Sequence, residues 1–324
     1  MRRLTFLILI VAAIYSGYWF LGVKAVRAGS QHAITQAQED GWDVTYADLQ
    51  TVGFPSRFDT TAREFALTSP DGQLSWAAPF LQVFALSYQP NNVIAAFPPE
   101  QNLRIGDQTF DIDAAGLRAS AKVRPNTNLS FQNATVETGA TTIASDLGWS
   151  IGIQDAIFAI REATDLAAAY DIFLDVNQLV LPPEIIAEID PDNLLTNSIQ
   201  QVILDAVVTL DQPLDRHVQD PLTQAITLRR ASLVWGNVVL VADGSLEIGD
   251  DGIPEGRITL KTDQWREIID LLVSIGTIQR RTAFTITTMA NSMVQDDRLE
   301  LPISFQDGFM SVGPIPIGPA PRLH

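Results

Sequence analysis

The sequence predicts a mainly β protein of the α+β class, with curved antiparallel sheets in one lobe or two, a few short helices and an N-terminal transmembrane helix. Three observations lead to this prediction. Apolar residues alternate with polar ones over most of residues 42–181 and again in the last third of the chain. Short turns rich in Pro, Gly and Asn separate these segments, which favours antiparallel pairing because parallel strands need long crossovers. An uncharged apolar run occupies the N-terminus.

The apolar run, Leu4–Val23, contains twenty residues without a charge. As a helix it would extend roughly 30 Å, the thickness of a bilayer hydrocarbon core. Two arginines precede it, Lys24 follows it, and its second half is rich in Tyr and Trp, which prefer the membrane–water boundary. We therefore predict a membrane anchor over residues 1–24, with these residues facing lipid: Leu4, Phe6, Leu7, Ile8, Leu9, Ile10, Val11, Ile14, Tyr15, Tyr18, Trp19, Phe20 and Leu21.

The anchor predicts a single-pass protein of the inner membrane, with the bulk of the chain in the periplasm. The short, positively charged N-terminal tail favours this orientation. The alternative is a signal peptide that is cleaved near Ala28, within Val26-Arg27-Ala28, which would leave a soluble periplasmic protein. The apolar run is longer than a typical signal peptide requires, so the uncleaved anchor is the favoured interpretation.

Four regions follow from the change in periodicity along the chain. After the anchor, residues 25–41 form a helical stalk that Gly41 ends in a left-handed conformation. Residues 42–181 form a β-rich lobe. A short helix beginning at Pro182-Pro183 marks a boundary between residues 182 and 197, and residues 182–324 form a second β-rich lobe with a helical pair near 263–293.

The turn signals divide the sheets into individual strands. Turns are predicted at Pro70-Asp71-Gly72, Pro90-Asn91-Asn92, Pro98-Pro99 and Gly249–Gly252. The Pro-rich segment 313–321 has too few backbone donors for a central strand and is expected to form an extended edge. The predicted strands between these turns include 65–68, 74–76, 81–88, 117–123, 129–131, 134–136, 151–160, 172–180, 202–210, 226–228, 231–235, 238–248, 258–260 and 299–305.

The composition excludes several classes of function. A formal net charge of −17 argues against nucleic-acid binding, which requires basic side chains to displace counterions from phosphates. The chain has no cysteine, so thiol catalysis, thiolate metal sites and disulfides are absent. Its three histidines, His32, His217 and His324, have no partner at metal-ligand spacing.

No residue pattern predicts a catalytic, cofactor or metal site, and we expect no cofactor and no enzyme activity. The segment Gly53-Phe54-Pro55-Ser56-Arg57 interrupts a regular strand pattern and has two interpretations. In the first, a bend or bulge places Phe54 in the core at the start of the sheet. In the second, Phe54 and Arg57 lie at the mouth of a binding groove.

Several segments together resemble a family of uncharacterised, membrane-anchored envelope proteins from alphaproteobacteria. They are GWDVTY (41–46), GFPSRFD (53–59), the block 74–101 and the closing segment 306–323. This resemblance implies no activity and no functional residues. The layout of an anchor followed by repeated antiparallel strands is also distantly similar to AsmA-like envelope proteins. That similarity implies a curved sheet with an apolar concave face on the periplasmic side of the inner membrane.

The favoured hypothesis for function is a non-enzymatic envelope protein that binds a lipid or other hydrophobic ligand in a β-sheet groove. It rests on strands that are apolar on both faces in a chain with few helices to cover them. The alternative is a scaffold with a closed β core that recruits envelope protein partners through its acidic surface. The inner membrane is the expected partner in both cases.

Overall fold

The computed structural model describes residues 2–191, 195–274, 280–293, 298–312 and 315–323. Within it the chain forms two compact units. Unit 1 contains residues 1–123 and 136–149, and unit 2 contains residues 124–135 and 150–324. The segment 182–197, where the sequence predicts a boundary, lies inside unit 2.

Both units are built mainly from antiparallel strands, which confirms the predicted fold class. Unit 1 contains α1 (Arg2–Glu39), β1 (Asp43–Thr45), β2 (Asp48–Val52), β3 (Arg57–Thr68), β4 (Leu74–Leu86), β5 (Gln89–Ala96), β6 (Glu100–Ile105), β7 (Gln108–Ala114), β8 (Arg118–Val123) and β10 (Thr141–Ser145). The strand β9 (Phe131–Thr138) has residues in both units. Unit 2 contains β11 (Ser150–Ile153), β12 (Asp155–Glu162), β13 (Ala169–Val180), α2 (Pro183–Ile189), β14 (Ser198–Leu210), β15 (Thr223–Trp235), β16 (Val238–Ile248), β17 (Pro254–Thr262), α3 (Trp265–Ser274), α4 (Arg280–Met293), β18 (Leu299–Gln306), β19 (Phe309–Val312) and β20 (Ile315–Pro319).

The sheet of unit 1 branches at its two longest strands. The strand β3 pairs with β1, β2 and β4, and β4 pairs in turn with β5 along one part and with β6 along another. The outer strands continue these two branches, since β5 pairs with β8 while β6 pairs with β7 and then β10. The segments 74–76 and 81–88, which the sequence predicts as two strands, belong mainly to the single strand β4.

The helix α1 contacts the sheet near both ends of β3. The indole nitrogen of Trp19 donates a hydrogen bond of 2.9 Å to the carbonyl of Arg57, the first residue of β3. Further along the helix, Gln38 donates to the carbonyl of Val44, which is paired with Leu67 near the end of β3. The second half of α1, which contains most of the predicted stalk, therefore runs alongside β3 and does not project away from the sheet.

The end of α1 agrees with the sequence. Gly41 adopts a φ of +90°, the left-handed conformation that glycine adopts without steric cost. The amide of Trp42 then bonds back to the carbonyl of Ala37, which satisfies one of the last helical carbonyls.

The predicted turn at Pro90-Asn91-Asn92 is wrong. The chain reverses at Ser87 and Tyr88, and Pro90 already belongs to β5. The register between β4 and β5 shifts here, so that Leu86 pairs with Gln89 and Ala85 with Val93. The residues between Gln89 and Val93 therefore have no pairing partner on β4 and donate no backbone hydrogen bond to it. Pro90, which has no N–H group, is tolerated at this bulge, whereas a regular ladder would require that donor.

The sheet of unit 2 is a consecutive antiparallel meander. Each strand from β12 to β20 pairs with the next one in the chain. The helix α2 packs on this sheet through Ile186, which clusters with Ile199 and Trp235. The helices α3 and α4 lie between β17 and β18 in the chain and pack on the sheet through a second cluster of buried residues.

One face of this sheet carries charged pairs. Asp171 on β13 accepts hydrogen bonds from Arg161 at 2.9 Å and from Arg229 at 2.6 Å, and Arg229 also contacts Asp205 at 3.1 Å. Burial alone would raise the pKa of Asp171, but the hydrogen bonds from Arg229 and Arg161 outweigh it and lower the pKa below its ordinary value. This face is therefore the water-facing one.

We expect Asp171→Asn to destabilise the protein by about 0.5–1 kcal/mol at pH 7, the scale of partly exposed ion pairs. A carboxylate whose pKa is lowered on folding stabilises above its unfolded pKa of about 3.9, and this contribution is lost as the pH falls through the lower folded pKa. The difference between wild type and variant should therefore shrink below about pH 4. Denaturant unfolding of the full chain in detergent at several pH values measures it, with the exposed Glu188→Gln as control. An equal difference at pH 7 and pH 2 would contradict the assignment.

Candidate functional site

The predicted anchor forms the first part of α1, which is long and apolar enough to cross a membrane. All of the predicted lipid-facing side chains are exposed except that of Trp19, which is 7% exposed. Leu21, for example, is 69% exposed and Ile14 is 68% exposed. A helix that presents apolar side chains on most of its surface requires an apolar environment, such as lipid or another protein.

Trp19 lies at the centre of a contact between α1 and unit 1, which we call the helix-docking site. Its ring packs edge-on against Phe54 at 5.2 Å between centroids and lies 6.2 Å from the ring of Phe58. Phe58 is 3% exposed, so the contact belongs to the core of unit 1. The helix-docking site consists of Tyr15, Tyr18, Trp19, Gly22, Phe54, Arg57, Phe58 and Ser87.

Two tyrosines add polar contacts to this site. Tyr15 and Ser87 share a hydrogen bond of 3.1 Å between their hydroxyl oxygens, and the hydroxyl of Tyr18 donates to the carbonyl of Ser87. Ser87 is fully buried. A buried carbonyl without a partner would cost about 1–3 kcal/mol, so the tyrosines provide stability as well as position.

The two residues of the predicted groove mouth both belong to the helix-docking site. Phe54 is 54% exposed. The first interpretation of this segment, which placed Phe54 in the core, is therefore wrong. The carbonyl of Arg57 accepts the bond from Trp19, and its guanidinium pairs with Asp59 at 3.0 Å. Neither residue lines the two cavities described below.

We expect Gly22→Ala to weaken the docking of α1 by about 1–3 kcal/mol, the usual cost of overpacking a core contact. A Cβ at Gly22 would lie 2.4 Å from the ring of Phe58, whereas a Cβ at Gly17 would have no atom within 4 Å. Gly17→Ala is therefore the matched control, since both changes raise helix propensity equally. Thermal unfolding of the full chain in detergent measures the difference. Equal melting temperatures for the two variants would contradict this packing.

The second candidate site begins on the face of the unit 2 sheet opposite the charged pairs. Two rows of residues cross this face from β12 to β18 through direct pairings, and every member is apolar or glycine. The first row is Phe158, Leu174, Leu204, Ala231, Ala242, Leu260 and Leu301, and the second is Ile160, Ile172, Ala206, Leu228, Gly244, Ile258 and Ile303. Together they form a band that we call the apolar face.

A bulge in β15 keeps the apolar face continuous. Leu228 and Ala231 are three residues apart and would point to opposite faces of a regular strand. The register shifts between them, so that both remain in the two rows. The same bulge places Arg229 against Asp171 and Asp205 on the opposite face. One irregularity therefore separates the charged face from the apolar one.

The apolar face ends in a cavity of about 330 Å³ beneath α3 and α4. All but one of the residues that line it are apolar, and Leu260 and Leu301 belong to the first row of the apolar face. The exception is Thr262, whose hydroxyl accepts a bond from the amide of Gln264. The lining residues are Leu240, Leu260, Thr262, Trp265, Ile268, Ile269, Leu272, Ile286, Ala290, Leu299, Leu301, Val312 and Ile317. We call this the helical-pair cavity.

Trp265 provides an unusual polar group in this cavity. The residue is 1% exposed, and its indole nitrogen has no hydrogen-bond partner among the described residues. Arg266 stacks on the face of its ring at 4.1 Å from the centroid and supplies no acceptor, since a guanidinium only donates. A buried donor of this kind is costly unless a bound molecule supplies an acceptor.

A larger cavity of about 840 Å³ in unit 1 has a different character. Four carboxylates line it, those of Glu64, Glu100, Asp111 and Asp113. Apolar side chains, among them Phe65, Ala78 and Ile112, line it as well, so its surface is mixed, unlike that of the helical-pair cavity. Within the described residues, no group of three or more His, Cys, Asp and Glu side chains is arranged to hold a metal ion.

Sequence reasoning located the parts of the helical-pair cavity but not the cavity itself. The helical pair and the apolar positions Trp265, Ile268, Ile269 and Leu272 follow from the helical period. The adjoining strand β18 corresponds to the predicted strand 299–305. Gly276, expected just past the first helix, lies outside the described residues. The space between helices and sheet and the unpaired indole have no counterpart in the sequence pattern.

These features define an antiparallel β protein with an N-terminal apolar helix and an apolar cavity beneath a helical pair. The chain belongs to a bacterial family, DUF2125, described as an uncharacterised protein conserved in bacteria, whose model matches residues 19–321. No curated protein and no solved structure matches the chain.

Proposed function

We propose that this chain is a single-pass inner-membrane protein whose periplasmic part binds a lipid acyl chain in the helical-pair cavity. The carrying observation is that cavity, apolar throughout except for Thr262 and Trp265 and continuous with the apolar face. Its volume falls within the range of about 300–1,000 Å³ typical of small-molecule sites.

The energetics favour an occupied cavity. The apolar lining of this partly open cavity lacks packing partners on one side, so apolar atoms that fill it gain dispersion contacts. Each methylene that moves from water into it gains about 0.8 kcal/mol. An acyl chain offsets the packing defect, and water does not, because the lining offers few hydrogen-bond partners.

The apolar face supports a route for such a chain. It spans six strand spacings, or roughly 29 Å at about 4.8 Å per strand. Its far end at β12 remains open to the surroundings, since Phe158 is 41% exposed. Most of its other members are partly exposed, and a contiguous apolar surface can mark a binding site.

Photo-crosslinking tests the proposal in the full chain reconstituted in vesicles that contain a phospholipid with a diazirine in its acyl chain. We expect adducts on α3 and β17 in addition to those on the membrane helix. Ala290→Leu, which extends into the helical-pair cavity, should reduce the α3 and β17 adducts several-fold without loss of stability. Thr288→Leu, on the exposed side of the same helix, should leave them unchanged.

The adducts on α1 serve as an internal control, because any chain that inserts into the vesicles acquires them. Adducts confined to α1, or adducts on α3 that Ala290→Leu does not reduce, would overturn the proposal.

The unpaired indole of Trp265 predicts that the ligand carries an oxygen acceptor. Trp265→Phe removes a donor that has no protein partner among the described residues, so the stability of the lipid-free protein should change by less than about 1 kcal/mol. Labelling of α3 by a diazirine fatty acid should fall several-fold in this variant. Labelling by a diazirine hydrocarbon without oxygen should not change, which separates loss of the hydrogen bond from a change in cavity shape. Equal losses with both probes would contradict the hydrogen bond.

A further inference from the structure

The end of unit 1 that meets α1 consists of the loop 53–57 and the turn at Ser87 and Tyr88, which we call the docking end. The strand β3 begins there at Arg57, and β4 ends there at Leu86, its pairing partner. The opposite end of β4, at Leu74, is about 40 Å away at 3.3 Å per residue.

The position of the helix-docking site along α1 determines how far the docking end lies inside the apolar run. Trp19 and Tyr15 lie four and eight residues before Val23, the last residue of the apolar run. At 1.5 Å per residue, they lie about 6 and 12 Å inside the end of that run. Protein groups that contact these side chains directly lie at the same level.

Several backbone groups of the docking end are paired within the protein. The amide of Arg57 donates to the carbonyl of Gly53, and the amide of Ser87 donates to the carbonyl of Ser56, both at 2.9 Å. The carbonyls of Arg57 and Ser87 accept from Trp19 and Tyr18. Lipid supplies no hydrogen bonds in the hydrocarbon region, so paired backbone groups are what a loop at membrane depth requires.

The docking end exposes Phe54, Pro55 and Tyr88 together with the polar Ser56 and Arg57. Tyr88 is 62% exposed, Phe54 54% and Val52 49%, and Phe20 on the adjacent helix is 60% exposed. Tyr, Phe and Trp are the side chains that proteins place at membrane interfaces. The charge of Arg57, which is half exposed, is paired with Asp59 at 3.0 Å.

We propose that the docking end inserts into the periplasmic leaflet of the bilayer, with Phe54 and Tyr88 as its penetrating side chains. The lipid bilayer is the occupant of this surface because α1 carries the same end of the sheet into it. The inference rests on the proposed membrane anchoring of α1. The net charge of −17 does not oppose it, since the contact is aromatic and local.

Because the chain contains no cysteine, single-cysteine variants report depth without background. The full chain, reconstituted in phosphatidylethanolamine–phosphatidylglycerol vesicles, carries a nitroxide label at Phe54→Cys, Tyr88→Cys, Leu9→Cys or Leu147→Cys. Leu9 lies in the apolar run, and Leu147 is 72% exposed on a turn near the opposite end of unit 1. The ratio of collision rates with oxygen and with a water-soluble nickel complex measures depth.

We expect this ratio to be highest at position 9, lowest at position 147, and several-fold above the latter at positions 54 and 88. Values at 54 and 88 equal to that at 147, with position 9 deep in the bilayer, would overturn the inference while the anchor stands. An aqueous value at position 9 would overturn the anchoring itself, and with it the inference. Tyr88 is 62% exposed, so its replacement leaves the core intact, and it provides an independent check on position 54, where Phe54 packs against Trp19.

Discussion

The separation of two chemically different faces on the unit 2 sheet depends on register. Side chains alternate with a period of two, so a slip of one residue anywhere would exchange charged and apolar positions. The bulge beside Arg229 is the point at which the alternation would otherwise fail. It keeps Leu228 and Ala231 in the apolar face and directs a cation to Asp171. The ion pairs and the cavity are therefore consequences of one constraint.

The apolar surfaces of the two units have different roles. In unit 2, the apolar face ends at a cavity that the helical pair covers without filling. In unit 1, the contact with α1 is filled completely, with Phe58 and Ser87 out of contact with water. An unfilled space suits an exchangeable molecule, whereas a filled one suits a permanent contact. The structure of each surface thus matches a proposed task, ligand binding in one unit and attachment in the other.

Local patterns in the sequence predicted local structure well. Strand β16 begins and ends at its predicted residues, and Pro182, Pro183 and Pro191 delimit α2. Strands β6 and β7 escaped prediction because Gln, Asn and Asp obscure their alternation. Contacts between distant residues, such as Tyr15 with Ser87, leave no periodic signal. The helical-pair cavity leaves no periodic signal either, because it is the space that remains where the helical pair does not pack closely on the sheet.

The burial of Trp19 makes the N-terminal apolar helix a component of the folded unit as well as its proposed means of attachment. A protease cut at Ala28 would remove the residue that covers Phe58 and the hydrogen-bond donor to Arg57. The released chain would carry a newly exposed aromatic surface and unpaired carbonyls at the start of β3. Processing at that position would therefore yield a less stable protein, not merely a soluble one. The family match includes this helical residue, since it begins at Trp19.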